Sequence, residues 1–148
     1  MPSSKEAITV NAPVDEVWNL VKDFNNIAPL MPGYTSHEVL NDSEAAWEFL
    51  GDFGIVKKKI NVKIDNIVRI APHSITFDLK GTNENVEGEG KFEIEAADAG
   101  TSRLTGFMDL TGGGFMGGMI NSVLKTFIPE STKKIVDGIG ERTESAVK

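Results

Sequence analysis

Few side chains in this sequence could do chemistry. There are two histidines, His37 and His73, one tyrosine, Tyr34, and no cysteine. His37 sits in a strand-like run of polar residues and His73 in a Pro-His-Ser turn, so both are expected in solvent, neither placed to act as a base. The lack of cysteine removes thiol nucleophiles, disulfides and thiolate metal sites together. No His-Glu spacing on a helix and no carboxylate trio offers a metal ion its ligands, and no cofactor is expected. Residues 112–118 hold five glycines in seven positions. A phosphate-cradling loop also needs a lysine, a Ser or Thr and a buried parallel strand before it, and this segment has none of them. It reads as a turn into a helix. On the inward-facing phase only Tyr34, Asn121 and Ser122 are polar. These residues predict no enzyme.

The bulk numbers narrow the remaining functions. A chain of 148 residues fits a single domain, residues 1–148, and can bury a core without staples. The net charge of −7 argues against nucleic acid, whose phosphates need clustered cations. The one basic run, Lys57-Lys58-Lys59, lies in a strand-like segment and reads as a solvated strand face. The opening residues have no charged-then-apolar leader, and no apolar run approaches the ~20 residues of a membrane helix. A cytoplasmic protein with at most peripheral membrane contact is expected.

Hydrophobic period sets the elements. Residues 7–11 are short and β-branched, a strand. Pro13, Asp15 and Glu16 then suit a first helical turn, with Asn11 in the capping region, and Val14, Val17, Trp18 and Val21 make one buried stripe. A short apolar piece, residues 27–31, follows and closes at Pro32-Gly33. From Tyr34 to about Thr111 the period is two. Ala45, Trp47 and Phe49 take one face, as do Ile60, Val62 and Ile64, then Ile75, Phe77 and Leu79. Val86, Gly88, Gly90, Phe92 and Ile94 alternate with Glu87, Glu89, Lys91, Glu93 and Glu95, and Leu104, Gly106, Met108 and Leu110 continue the series. One face is apolar and the other charged, which describes an antiparallel sheet wetted on one side. After Gly114 the period returns to helical for about thirty residues, with a kink or a break expected at Pro129.

The fold class that follows is α+β. A curved antiparallel sheet of about seven strands wraps on a long C-terminal helix, with two short helices after the first strand. Gly88, Gly90 and Gly106 fall where Val or Leu would pack, and the facing helix is rich in Met and Phe. Both features suggest a palm that is not completely filled. These features leave two readings open: a plain core whose glycines bend the sheet, or a cavity for a lipophilic small molecule. Its expected lining is Leu30 and Met31 from the short helical piece, Trp47, Phe49, Phe77, Phe92 and Met108 from the strands, and Phe115, Met119, Val123 and Phe127 from the final helix. The glycine-rich segment, opposite residues 27–31, is the expected door.

Residues 8–18, Ile-Thr-Val-Asn-Ala-Pro-Val-Asp-Glu-Val-Trp, resemble the opening of the START-like (SRPBCC) superfamily. Pro32-Gly33, Gly100-Thr101, Gly112-Gly113-Gly114 and the apolar final helix are similar to its CoxG-like branch, the one linked to carbon monoxide dehydrogenase. The resemblance implies a helix-grip fold around a hydrophobic cavity. It also implies an accessory or carrier role for a quinone, lipid or polyketide-like molecule, beside a carbon monoxide dehydrogenase-type redox enzyme complex. Two other roles stay open: a polyketide cyclase-like enzyme, and an interaction or maturation factor that meets its partner through Glu87, Glu89, Glu93 and Glu95. The polar residues 140–145 argue against a stable membrane anchor.

Overall fold

The computed structural model describes residues 3–52, 57–82, 85–114 and 117–147. Strand β1 (Ser3–Val10) leads into α1 (Val14–Val21), α2 (Phe24–Ile27) and a 3-10 turn at Ala28–Leu30. Six strands follow: β2 (Tyr34–Asn41), β3 (Glu44–Asp52), β4 (Lys57–Ile70), β5 (Ser74–Gly81), β6 (Val86–Ala96) and β7 (Ser102–Gly112). Helix α3 (Gly117–Ala146) ends the order. The seven strands form one antiparallel sheet in the order β1-β7-β6-β5-β4-β3-β2, so β1 and β2 are its edges.

The period-two reading of the sheet holds residue by residue. Ala45, Trp47, Phe49, Ile60, Val62, Ile64, Ile75, Phe77, Leu79, Phe92, Ile94, Leu104, Met108 and Leu110 are all buried. Their outward neighbours Asp78, Glu93 and Asp109 are half-buried rather than fully exposed. The registers explain why, because each stands between two paired strands whose side chains shelter it. One row of the outer face is notable. Asp65 stands opposite Asp78, Asp78 opposite Glu89, and Glu89 opposite Asp109, four carboxylates abreast on four strands. Asn66 Nδ2 donates to Asp78 at 2.7 Å, and the Glu89 amide donates to Asp109 at 3.2 Å, which disperses part of that charge.

Two local expectations need correcting. Pro13, not Asn11, occupies the position before α1 and supplies no side-chain cap, while the Asn11 amide donates to Glu144 on α3 at 2.8 Å. Of the kink or break expected at Pro129, the break does not occur, since the last helix runs as one 30-residue element. Proline costs about 3 kcal/mol inside a helix, and burial of the apolar Ile128, Ile135 and Val136 of the same helix offsets that cost.

The glycines on the apolar phase also mean something other than empty space. A Cβ at Gly106 would stand 2.6 Å from Val136 Cγ2 on α3, and one at Gly90 would collide with the Phe77 ring. A side chain at Gly88 would strike the Asp109 carbonyl. These positions are small because neighbours already fill the space above them. Gly140 on α3 gives Ile8 the same close approach, at 2.6 Å, and Gly138 gives it to Leu30, at 2.9 Å. Glycine on both partners lets the helix press onto β1, β7 and the 3-10 turn. Gly106→Ala is expected to cost about 1–3 kcal/mol in urea unfolding, as overpacking does. In a Val136→Ala background the cost should shrink by at least ~0.5 kcal/mol, the coupling expected of residues in contact.

Candidate functional site

The concave face carries two groups of aromatic side chains. In the first, Phe24 stands at the centre, 5.9 Å from Trp47 and edge-on to Phe77 at 5.2 Å, and Phe77 reaches Phe92 at 5.9 Å. Arg69 holds Phe24 in place. Its guanidinium lies 6.0 Å over the ring while donating to the Lys22 and Asp42 carbonyls at 2.8 and 2.6 Å. In the second group, Phe49 of β3 and Phe127 of α3 stack at 5.8 Å, nearly parallel. Phe127 is only half-buried, and beside it opens a pocket of about 390 Å³. Its walls come from the Pro32-Gly33 turn, the β3–β4 hairpin and the Phe127–Lys134 stretch of α3. Gly33 is required there. Its φ of +76° and the contact of its α-carbon face with the Leu50 carbonyl leave no room for a side chain, and its own carbonyl accepts from the Leu50 amide at 2.8 Å.

Of the residues expected to line a cavity, Trp47, Phe49, Phe77, Phe92, Met108 and Met31 are buried on the palm side, and Leu30, Val123 and Phe127 are half-buried at its margin. Phe115 lies outside the described residues, as does the side chain of Met119. The expected door is described only in part. Gly112 is held by the Asn121 amide, which accepts from its N–H at 2.8 Å and donates to its carbonyl at 3.3 Å. Asn121 therefore serves as a latch on the end of β7. Phe24 is absent from the expected lining, because the polar Asp23, Asn25 and Asn26 around it interrupt the apolar stripe that ends at Val21. The signal was Asp23 itself, whose carboxylate caps the next helix by accepting from the Asn25 amide at 2.9 Å.

Polar groups on the same face complete the site. His37 is not in open solvent as expected. It is half-buried, opposite Trp47 in the register, while Tyr34 stands opposite Phe49. Asn25 Oδ1 lies 2.8 Å from His37 Nε2, and Tyr34 Oη 2.6 Å from Nδ1. The carbonyl oxygen of Asn25 can only accept, so Nε2 carries the proton of the neutral ring and Nδ1 accepts from the tyrosine. His73 behaves as predicted, exposed, with Nδ1 3.1 Å from the Ile94 carbonyl. Two further donors at this site lack a partner among the described residues, as does the Thr111 hydroxyl of β7. Trp47 Nε1 and the Ser131 hydroxyl are buried among the described residues without a hydrogen bond, although an orphaned buried donor costs about 1–3 kcal/mol.

An antiparallel palm closed by a C-terminal helix over an aromatic face is the helix-grip arrangement of START-like proteins. The chain belongs to the polyketide cyclase / dehydrase and lipid transport family, which it matches over residues 1–139. Among solved structures it is similar to a conserved protein from Geobacillus kaustophilus, at 18% identity and a TM-score of 0.76, covering 97% of this chain and 96% of that one. It is similar also to the Zhui aromatase/cyclase from Streptomyces sp. R1128, at 18% identity and 0.75, covering 99% and 95%. A START superfamily protein from Mycobacterium smegmatis gives 16% and 0.73, covering 97% and 98%. No curated protein matches the sequence. Among the described residues, no helix is long and apolar enough to cross a membrane.

The two aromatic groups should respond differently to truncation. Phe77→Ala is expected to cost about 3–5 kcal/mol in urea unfolding, as for other buried phenylalanines. Phe127→Ala, at a half-buried site, should cost less than half as much and instead weaken binding of an apolar probe at least tenfold.

Proposed function

We propose that the protein binds and carries a lipophilic small molecule, a quinone, lipid or polyketide-like compound, between its sheet and α3. The observation that carries this reading is Trp47. Its indole N–H is buried on an aromatic face with no acceptor among the described residues, so a ligand carbonyl or hydroxyl would relieve a standing cost. The family description, which joins cyclase and dehydrase chemistry with lipid transport, supports a ligand of this class. Decylubiquinone tests it directly. Of the two indole N–H signals in a ¹H–¹⁵N spectrum, that of Trp47 should shift on titration and that of Trp18 should not. Saturating probe with both signals unmoved would overturn the reading.

The finer role, accessory to a carbon monoxide dehydrogenase-type redox enzyme, rests on the motifs at residues 32–33, 100–101 and 112–114. The acidic outer face, with Glu87, Glu93 and Glu95 beside the carboxylate row that includes Glu89, is the surface offered to such a complex.

A second reading, a cyclase-like enzyme, is favoured by one arrangement. Asn25, His37 and Tyr34 form a hydrogen-bonded relay at the rim of the palm, able to move a proton at Tyr34 Oη. The two readings separate on His37→Ala. The carrier keeps its affinity for decylubiquinone within experimental error. An enzyme turning over a poly-β-keto substrate loses on the order of 10²–10⁴ in rate.

A further inference from the structure

The pocket beside Phe127 has a chemistry distinct from the aromatic palm. Phe127, Glu130, Ser131 and Lys134 follow the i, i+3, i+4, i+7 spacing, so one stripe of α3 forms its wall. Lys57, at the start of β4, faces that stripe from across the pocket. Ser131 is 1% exposed, and its hydroxyl has no partner among the described residues. Buried hydroxyls in a helix usually bond back to the carbonyl four residues earlier. Two threonines of the same helix do so: Thr132 to Ile128 at 2.8 Å and Thr143 to Ile139 at 2.7 Å. Ser131 does not, and it lines the pocket.

Charge then selects the ligand. Two lysines and one glutamate give the pocket a local charge of +1, which a monoanion neutralises and a phosphate dianion would exceed. Phe127, on the pocket wall, stacks on Phe49 of the palm at 5.8 Å, so the apolar side of the pocket is the side toward the sheet. We infer that this pocket seats the carboxylate of a single-chain amphiphile. Lys57 and Lys134 balance the head group, the Ser131 hydroxyl donates to it, and the alkyl chain passes Phe127 and Phe49 onto the palm. The inference rests on the carrier reading and narrows it to ligands bearing an acid group.

Calorimetric titration with dodecanoate, dodecanol and dodecyl phosphate tests it. Wild-type protein should prefer dodecanoate to dodecanol at least tenfold, and the preference should weaken as salt is raised. Lys57→Gln/Lys134→Gln, two changes at exposed positions, should abolish the preference while leaving dodecanol affinity unchanged. Ser131→Ala should weaken dodecanoate threefold or more and spare dodecanol. If dodecanol binds as tightly as dodecanoate, the carrier reading stands and the carboxylate seat is overturned. A tighter dodecyl phosphate overturns the monoanion assignment. If none of the three binds, both readings fall together.

Discussion

The structure depends on how closely α3 can approach the sheet. A seven-stranded sheet with one apolar face has to cover it, and this chain has one long helix with which to do so. Contact is made through three glycines: Gly106 receives Val136 on the sheet side, while Gly138 and Gly140 receive Leu30 and Ile8 on the helix side. Polar ties then fix the helix along its length. Ser4 donates to Thr132 at 2.6 Å, and Glu144 accepts from the Asn11 amide near the other end. The C-terminal half of α3 is thereby committed to β1 and β7. Its middle is left to bridge toward β3, where Phe127 meets Phe49.

That commitment divides the interior. Under the tightly docked half, Phe24, Phe77 and Phe92 pack on one another and over Gly90 as ordinary core. Toward β2 and β3 the packing loosens. There the structure leaves a half-buried ring, a pocket, two buried donors without acceptors among the described residues, and a histidine held at both nitrogens. Polar groups left unsatisfied near a pocket are where a protein retains free energy for a ligand to recover. Stability is thus concentrated in the C-terminal half of α3 and recognition at its middle.

The sheet was almost wholly legible from alternation, because a period of two fixes which side chain enters the core whatever the tertiary context. The helix stripe was legible for the same reason. Two kinds of feature were not. Glycines on an apolar phase look the same in sequence whether they leave a void or admit a neighbour, and Phe77 and Val136 decide the matter only in three dimensions. His37 reads as a polar strand residue because Asn25, its partner at Nε2, lies on a different element, and alternation along a strand carries no trace of it. Ser131 lies within a stripe whose apolar members account for its burial. Only the missing bond to the preceding turn distinguishes it from Thr132.

The row of Asp65, Asp78, Glu89 and Asp109 bears on how copies of the protein behave toward one another. An outer sheet face without such a row could stack on its counterpart in a second copy, pleat against pleat, as sandwich sheets do. With neighbouring strands about 4.8 Å apart, the four carboxylates form a line of like charge some 14 Å long. Bringing two such lines together would require each to shed its hydration with no cation opposite. At physiological ionic strength the repulsion reaches about 8 Å, enough to deter stacking while leaving distant encounters unaffected. The same row that repels a second copy of the protein leaves the outer face open to a partner of opposite charge.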